Sequence, residues 1–447
     1  MIVEVRNVLS RVLSATPAEL TIVRSLLSFR VKGAEYTPQY QAGRWDGRCH
    51  LYREVTSTFP TGLLGLLKTR LTVQANDVRT RVEPIPADTS WLRDYQAEIV
   101  DKCLAAGRGI VHAATGAGKT EAMIALTVRV PGRWLILVHK KDLLHQTADR
   151  FELRTREACG RCGDGEWSPQ RVTVATVQTL HRRAKEAATI ALLKEADGVI
   201  SDECHQASSD TYREVMNRCE NAYWRFGFSG TPLDRSDMKD LILIGSTGGV
   251  VARVDAQSLV SRGLLAQPEI SMVPLKQVTT GSTWMEVYRT GVTECGPRNA
   301  LLARLAAGGR KPCLLFVREI AHGHALERAV RSLGVRTEFV WGKAPSSERQ
   351  AAIKRLVRGD VDVLVTSAIF DEGVDIPEVE AVVVGSGGRS VIKTLQRLGR
   401  GMRVTGTKAT MDLTDVLDQG HPWLRSQARA RQKAYESHGF NVTVKAP

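Results

Sequence analysis

The chain has 447 residues, of which 25% are charged and 6% aromatic, a composition that excludes disordered and fibrous classes. Its formal net charge of +14 favours a polyanionic partner over an acidic membrane surface, because no basic amphipathic anchor accompanies the charge. The sequence has no apolar run of about 18 residues, and its eight cysteines suggest no disulfide framework. We therefore expect a soluble, cytoplasmic protein of about three domains without a membrane partner.

Residues 1–85 form the first predicted domain, a small α+β unit that binds nucleic acid. This stretch contains 12 lysines and arginines against 7 acidic residues. In YTPQYQAGRWDGRCHLYR (residues 36–53), aromatic residues alternate with Arg44 and Arg48. Aromatic rings can stack on bases while arginines bind phosphates. The rings could equally form the core of a small domain, so the two arginines are the better candidates for DNA contact.

A second predicted domain, residues 86–268, alternates apolar strands with helical segments, which indicates a parallel sheet covered by helices. Within it, HAATGAGKT (residues 112–120) joins a strand-like run to a helical segment, the context that a phosphate-binding loop needs. Backbone N–H groups at Gly116 and Gly118 would converge on phosphates, Lys119 would reach the terminal phosphates, and the Thr120 hydroxyl would bind Mg²⁺. The other residues of the predicted nucleotide loop are Thr115 and Ala117.

The segment GVISDECH (residues 198–205) is a short apolar strand that ends in two carboxylates. Phosphoryl transfer to water needs charge neutralisation and a positioned nucleophile. We therefore predict that Asp202 holds Mg²⁺ and that Glu203 orients and deprotonates the attacking water. Cys159 and Cys162 have metal-ligand spacing, but no second pair follows, which favours a glycine-rich turn between strands over a zinc site.

The second half of the chain repeats the strand and helix alternation. We expect a linker at residues 269–298 and a second parallel-sheet domain at residues 299–418, with strands in PCLLFV, VDVLVTS and AVVVG. In QRLGRGMR (residues 396–403), Arg400 and Arg403 would share one helix face. The basic tail, residues 419–447, is predicted to be a helix that lies on the second parallel-sheet domain or on phosphates, with a solvated helix face as the favoured alternative.

These segments occur in the order seen in the superfamily 2 helicases and translocases of the DExH type, which residues 91–403 resemble. Phosphate loops of that family commonly read A-x-x-G-x-G-K-T, as residues 113–120 do, so alanine in place of the first glycine is a family trait. The resemblance implies an α/β fold of two tandem RecA-like parallel-sheet domains, preceded by the small α+β domain, and the use of ATP with Mg²⁺. The other matching segments are LRDYQ, VHKKDLLHQ, VATVQTL, FSGTP, LLFVREIAHGHAL, VLVTSAIFDEGVDIP and QRLGRGMR.

The resemblance also implies roles for residues around the nucleotide. Arg93 and Gln96 would read the adenine, and Gln396 would contact the γ-phosphate or the attacking water. The remaining residues implied at the nucleotide are the arginine fingers Arg400 and Arg403, and Gly373 and Asp375 in GVDIP.

Further residues are implied in coupling and in nucleic-acid contact. His205 would link hydrolysis to Ser229 and Thr231 of the FSGTP segment through hydrogen bonds. Contacts to the sugar-phosphate backbone position a protein without reading sequence, so we expect low sequence specificity. The residues implied in these contacts are Lys140, Thr176, Gln178, Arg318, Thr366 and, again, Gly373.

The sequence differs from the RNA-directed DEAD-box branch, which makes duplex or branched DNA the preferred substrate. Residues 43–64 and the overall layout look closest to the phage UvsW-type helicases. This implies a virus-encoded monomer in the host cytoplasm that unwinds and rewinds branched DNA, regresses forks and promotes branch migration in recombination, replication and repair. The alternatives are an XPB- or RadD-like repair helicase, a restriction motor subunit, and an ATP-switched DNA-binding or annealing protein that never separates strands.

Overall fold

The computed structural model describes residues 1–206, 210–230, 232–233, 240–342, 344–367, 376, 378–388, 410–437 and 439–445. The chain forms two compact units, the first made of Met1–Ala114 and Gly118–Val254 and the second of Asp255–Pro447 together with the three loop residues Thr115–Ala117. The first unit contains a small N-terminal domain and a large sheet, and the second contains another large sheet. The predicted α/β class, with a small α+β domain ahead of two parallel-sheet domains, is confirmed.

The N-terminal domain has a four-stranded mixed sheet in the order β5-β2-β1-β6 and a separate hairpin of β3 and β4. Its helices are Pro17–Leu26, Pro38–Gln41 and Leu64–Lys68, with short 3₁₀ turns at Ala34–Tyr36 and Thr61–Leu63. The strands are β1 (Ile2–Val5), β2 (Leu9–Ser14), β3 (Ser28–Arg30), β4 (Arg48–His50), β5 (Thr58–Pro60) and β6 (Gln74–Asp77).

This domain is packed against the large sheet of the same unit. Its own core is formed by buried residues such as Val3, Phe59 and Leu63. The Arg108 guanidinium donates to the carbonyl oxygens of Asn7 and Thr247, at 3.2 and 2.8 Å, and so joins the two parts. The N-terminal domain is therefore held against the large sheet by hydrogen bonds.

The large sheet of the first unit has the order β10-β9-β11-β8-β12-β13-β7-β14. All neighbouring strands are parallel except the β9–β10 pair. The strands are β7 (Arg108–Ala113), β8 (Trp134–Val138), β9 (Gly160–Gly163), β10 (Glu166–Ser168), β11 (Val172–Thr176), β12 (Gly198–Asp202), β13 (Trp224–Ser229) and β14 (Val250–Val254).

The amino acids of this sheet explain its burial. Every residue of β8, WLILV, and of β12, GVISD, is buried, as expected for parallel strands covered by helices on both faces. The helices of this part are Asp94–Ala106, Lys119–Arg129, Lys141–Thr155, Val177–Arg182, Ala187–Lys194, Asp210–Arg218 and Asp240–Ser246. The carboxyl ends of the parallel strands meet at one edge, where the candidate site lies.

The second unit contains a seven-stranded sheet in the order β17-β18-β16-β19-β20-β15-β21, with every pair parallel. Its strands are β15 (Gln267–Leu275), β16 (Cys313–Phe316), β17 (Thr337–Val340), β18 (Val363–Thr366), β19 (Ala381–Val384), β20 (Thr410–Asp418) and β21 (Val442–Val444). Its α-helices are Ala256–Ser261, Trp284–Tyr288, Gly296–Gly308, Ile320–Arg331, Ser346–Arg358 and Pro422–Ser437, and a π-helix spans Arg289–Thr293.

Two segments differ from the sequence-based expectation. Residues 269–298, expected as a linker, contribute most of β15 and the helix Trp284–Tyr288 to the second unit. The tail helix Pro422–Ser437 is more than a solvated face, because Arg431 is buried and its Nε lies 2.8 Å from Asp415 Oδ2. Leu424 of the tail helix packs in one buried apolar cluster with Val287 and Tyr288 of the expected linker, so apolar burial draws both segments into the fold.

Among the described helices, none combines the length and apolar character needed to cross a membrane.

Candidate functional site

The predicted phosphate loop lies at the carboxyl end of β7 and leads directly into the helix Lys119–Arg129. Gly116 and Gly118 have φ angles of +88° and +70°, a left-handed conformation that glycine adopts at little cost. A Cβ atom at Gly118 would lie 2.4 Å from Gln96 Nε2, so a larger residue here would have to displace the end of the Gln96 side chain. The loop and the helix N-terminus together provide backbone N–H groups suited to an anion.

Gln96, which the family resemblance assigns to adenine reading, flanks this loop. Its side chain is 4% exposed, and its Oε1 accepts a hydrogen bond from the Arg93 backbone N–H at 3.0 Å. The Arg93 side chain is exposed at the start of the same helix, Asp94–Ala106. The two predicted adenine residues are therefore neighbours at the edge of the phosphate loop.

The acidic pair lies at the end of β12, two strands away from β7 in the sheet. Asp202 is 8% exposed, and its Oδ1 accepts from the Glu203 backbone N–H at 2.9 Å. Glu203 Oε1 lies 3.4 Å from Lys119 Nζ, and both side chains are largely buried. The fold thus brings together two charged residues that are far apart in sequence.

Glu203 has a backbone conformation that glutamate rarely adopts. Its φ is +48°, which costs a residue with a Cβ about 1 kcal/mol or more. Such strained residues cluster at functional sites, where the surrounding structure holds them in place. Here the strained conformation turns the carboxylate towards Lys119 and the end of β13.

The predicted coupling residues contact this carboxylate. Ser229, the last residue of β13, donates its hydroxyl hydrogen to Glu203 Oε2 at 3.5 Å. His205 Nδ1 lies 3.0 Å from Ser229 Oγ and 3.3 Å from Glu203 Oε2. Of the predicted coupling residues, Thr231 lies outside the described residues.

His112 is a residue of this site that was not predicted from the sequence. This residue stands in β7, and its Nε2 lies 2.9 Å from the carbonyl oxygen of Gly230, directly after β13. Strands β7 and β13 are adjacent although 110 residues of sequence separate their ends (Ala113 to Trp224). The position of His112 at the start of HAATGAGKT was visible in the sequence, but its partner depends on the strand order.

The cysteines of the first unit are buried thiols, except Cys49, which is half-buried. Cys204 lies against Gly227, where a Cβ atom would come within 2.9 Å of Cys204 Sγ, and burial raises the pKa of its thiol. Burial likewise raises the pKa of Cys159 to about 12 and that of Cys162 to about 11. Cys162 lies in β9, which forms a hairpin with β10, and the described residues contain no His, Cys, Asp and Glu cluster suited to a metal ion.

The predicted nucleic-acid residues of the first unit differ in accessibility. Gln178 is exposed and Lys140 is half-buried at the start of the helix Lys141–Thr155. Thr176 is only 7% exposed, and its hydroxyl donates to Thr179 Oγ1 at 2.8 Å. The Thr176 side chain is therefore already engaged inside the protein.

In the second unit, only one of the two described candidates reaches the surface. Arg318 is exposed, and its guanidinium carbon lies 5.3 Å from the centre of the Tyr288 ring. Thr366 is fully buried at the end of β18, with no hydrogen-bond partner for its hydroxyl among the described residues. The expectation of a Thr366 side-chain contact to nucleic acid needs correction, because the side chain is fully buried inside the second unit.

The predicted nucleic-acid residues of the N-terminal domain also differ in their exposure and contacts. Arg44 is exposed, whereas the Arg48 guanidinium donates to the Ser28 carbonyl oxygen at 3.2 Å and to Ser28 Oγ at 3.0 Å. Among the aromatic residues, Tyr52 belongs to the core and Tyr36 is 80% exposed. The core interpretation therefore holds for Tyr52 and not for Tyr36.

The remaining predicted site residues lie outside the described residues. They are Gly373, Asp375, Gln396, Arg400 and Arg403.

Comparison with known proteins gives two family matches. Residues 90–234 match the model described as type III restriction enzyme, res subunit. Residues 298–405 match the model described as helicase conserved C-terminal domain. The two matched ranges together cover more than half of the chain and contain all the segments of the candidate ATP site.

The chain is also similar to individual proteins. It is 29% identical over 369 residues to a putative DNA 3′-5′ helicase Rad25 of Haloarcula marismortui, covering 79% of this chain but only 56% of that protein. It is 24% identical to the ATP-dependent DNA helicase uvsW of Enterobacteria phage T4, covering 89% and 86% of the two chains.

A solved structure supports the fold. The fragment of a putative HsdR subunit of a type I restriction enzyme from Vibrio vulnificus matches with a TM-score of 0.57 and 20% identity, covering 79% of this chain and 68% of that one. Together with the loop, the acidic pair and the two family matches, these similarities show that the chain belongs to the superfamily 2 helicases.

Proposed function

We propose that the protein is an ATP-dependent DNA helicase or translocase that acts on duplex or branched DNA. The observation that carries this proposal is the arrangement of Lys119 and Glu203, 3.4 Å apart at the carboxyl edge of a parallel sheet, with Ser229 and His205 beside the carboxylate. A cation for the terminal phosphates and a base for water then share one site. The hydrogen-bonded neighbours connect that base to the following strand.

The residues at this edge fit a nucleotide with Mg²⁺. Asp202 supplies a carboxylate at the end of β12, and Thr120 supplies a hydroxyl in the first turn of the helix after the loop. Oxygen ligands of this kind suit Mg²⁺, which binds few protein groups and retains waters and phosphate oxygens. When bound, Mg²⁺ would neutralise charge on the phosphates. In this proposal Thr115, Gly116, Ala117 and Gly118 surround the phosphates, and Arg93 and Gln96 contact the adenine.

Lys119 and Glu203 form an ion pair that nucleotide binding would have to break. A γ-phosphate is a stronger partner for Lys119, because it has more negative charge than one carboxylate. Release of Lys119 removes a competing cation from Glu203 Oε1, the oxygen that would accept a proton from water. Ser229 and His205 continue to hold Oε2, so the base keeps its orientation during the exchange.

The second unit is proposed to supply transition-state charge. Arg400 and Arg403 would act as arginine fingers, Gln396 would contact the γ-phosphate or water, and Gly373 and Asp375 would lie near the nucleotide. Arginine fingers contribute about 10³- to 10⁵-fold to the rate in related NTPases. The support for these assignments is the resemblance of the sequence segments.

The DNA contacts are proposed at exposed basic and polar residues. Lys140, Gln178 and Arg318 would follow the sugar-phosphate backbone, and Arg44 would contribute from the N-terminal domain. The net charge of +14 supports a polyanionic partner. The names of relatives from H. marismortui and phage T4 describe DNA helicases, and the former a 3′-5′ polarity, which we propose here too.

We further propose that the protein acts as a monomer on forks and Holliday-type branches. This activity would serve recombination, replication and repair. An XPB- or RadD-like repair helicase or a restriction motor subunit would share the motor and differ in substrate or partners. An ATP-switched annealing protein would bind DNA without separating strands.

A strand-displacement experiment tests the proposal. A labelled forked duplex is incubated with the protein, with and without ATP and Mg²⁺, and released single strand is measured. We expect release only with ATP, and none from the Lys119→Ala variant, which lacks the cation for the terminal phosphates. ATP hydrolysis without any displacement on forks of either polarity would favour the annealing protein.

A further inference from the structure

A glycine-rich turn, Gly385–Gly388, follows β19 in the second unit. Gly387 and Gly388 have φ angles of +56° and +86°, so the turn depends on two consecutive left-handed residues. The chain continues from this turn, in sequence, into the segment that contains Gln396, Arg400 and Arg403.

Three side chains hold the turn by its carbonyl oxygens, and each comes from a different helix of the same unit. Such bonds fix a backbone more firmly than solvent contacts, because a buried carbonyl without a donor is costly. The pairs are Arg298 Nη1 to the Gly385 oxygen at 2.7 Å, Tyr288 Oη to the Ser386 oxygen at 2.5 Å, and Arg431 Nη1 to the Gly388 oxygen at 2.9 Å.

The two arginines are themselves immobilised. Arg298 Nε lies 2.9 Å from Asp418 Oδ1, and Arg431 Nε lies 2.8 Å from Asp415 Oδ2, with all four side chains buried. Both aspartates belong to the end of β20. The two ends of the turn are therefore anchored to the sheet, and Tyr288 alone among these donors lacks an ionic anchor.

Tyr288 instead connects the middle of the turn to the surface. Its ring lies under the exposed Arg318 guanidinium, at 5.3 Å from carbon to ring centre. A Cβ atom at Gly387 would lie 3.6 Å from Tyr288 Cε2, so the ring also packs on the turn. Burial raises the pKa of Tyr288 to about 12, which keeps the phenol protonated as a donor at neutral pH.

The backbone around Tyr288 has a second unusual feature. Tyr288 is the last residue of a short helix that continues as the π-helix Arg289–Thr293. Single π-helical turns are rare and occur frequently at functional sites. Val292 of this turn packs towards Gly387, so the π-helix supports the same glycine-rich turn.

We propose that Tyr288 is a positioning residue that couples the binding of a DNA phosphate at Arg318 to the turn Gly385–Gly388 and thereby to ATP hydrolysis. The inference rests on the proposed function, in which Arg318 contacts DNA and the segment after the turn acts on the γ-phosphate. A phosphate at Arg318 competes with the ring for the guanidinium. The resulting shift of the ring alters the bond to Ser386 while the arginines hold the ends of the turn.

The test compares Tyr288→Phe with Thr337→Val. The first change removes the hydroxyl group that donates a hydrogen bond to the Ser386 carbonyl oxygen, and it keeps the ring under Arg318. The second removes a buried hydroxyl that donates to the Val363 carbonyl oxygen at 2.9 Å, between β17 and β18 of the same unit. Both variants lose one donor to a backbone carbonyl, so a general loss of stability affects them alike.

The measurement is steady-state ATPase activity with and without saturating single-stranded or forked DNA, together with the melting temperature. We expect Tyr288→Phe to reduce DNA-stimulated kcat roughly tenfold or more while the KM for ATP changes little, because a misplaced reacting group costs rate more than binding. Thr337→Val should keep the wild-type stimulation.

A double-mutant cycle with Arg318→Ala adds a second readout. Coupling through the ring predicts that the effects of Tyr288→Phe and Arg318→Ala on DNA stimulation are not additive. Additive effects, or equal stimulation in Tyr288→Phe and Thr337→Val, would overturn the inference. A wild-type protein without any DNA-stimulated ATPase would instead refute the proposed function, so the two failures are distinguishable.

Discussion

Replacement of Glu203 by glutamine tests the chemical assignment of the acidic pair. The variant keeps the size and the strained backbone position but removes the negative charge. Glutamine cannot accept the proton of the attacking water, and loss of a general base typically lowers kcat about 10²- to 10⁴-fold. We therefore expect ATP to bind and not to turn over.

The structure also predicts the change in ATP affinity. At 3.4 Å, the attraction between Lys119 and Glu203 is about 5 kcal/mol at an effective dielectric constant of about 20. Desolvation of two largely buried groups offsets most of this, leaving a net contribution on the order of 1 kcal/mol. Glu203→Gln frees Lys119 from this competition, so ATP affinity should be unchanged or up to about fivefold tighter.

The matched control is Glu121→Gln. Glu121 lies on the same helix as Lys119, has the same 14% side-chain exposure as Glu203, and pairs with Arg150 and Arg154. Both variants lose one largely buried carboxylate charge. Single-turnover hydrolysis and fluorescent-nucleotide binding separate the chemical step from affinity. Normal turnover in Glu203→Gln, or an equal loss in Glu121→Gln, would refute the assignment of Glu203 as base.

Three further predictions concern the second unit. Arg400→Ala should lower kcat about 10³-fold with little change in ATP affinity, and weakened binding at unchanged kcat would contradict a role as arginine finger. Arg431→Met leaves the buried Asp415 carboxylate without its cationic partner, although the Tyr435 hydroxyl still donates to it, and should reduce the free energy of unfolding by about 3–5 kcal/mol. Adding Asp415→Asn should recover part of this loss, as measured by urea titration. Burial lowers the pKa of His322 from 6.5 to about 3, so its contribution to stability is complete above pH 6.5 and is lost as the pH falls towards 3. In that window the free energy of unfolding should change by up to about 1.4 kcal/mol per pH unit. The His322→Gln variant should show a weaker pH dependence when its unfolding is measured at several pH values.

Much of the ATP site could be predicted from the sequence, because its parts are contiguous. The phosphate loop joins one strand to one helix, and Asp202 and Glu203 end a single strand, so local spacing is enough to identify them. Gln96 was identified by its segment, and the structure places its side chain beside Gly118. The roles of these residues remain proposals that the variants above test.

Other features depend on which strands and helices become neighbours. His112 contacts Gly230 only because β7 lies beside β13, and Thr366 is covered only because β18 lies inside the second sheet. Whether an arginine binds a phosphate or the protein itself is decided in the same way, since Arg48 meets Ser28 across the β3–β4 hairpin. Composition and periodicity do not contain this information.

The sequence by itself determined the class of fold and the local chemistry, because hydrophobic runs, turn glycines and charged residues act on near neighbours in the chain. Only the tertiary structure decided the network of Arg298, Arg431 and Tyr288 around the glycine-rich turn. Its members lie up to about 140 residues apart, and a buried charge or hydroxyl is tolerated only where folding brings its partner within hydrogen-bond distance.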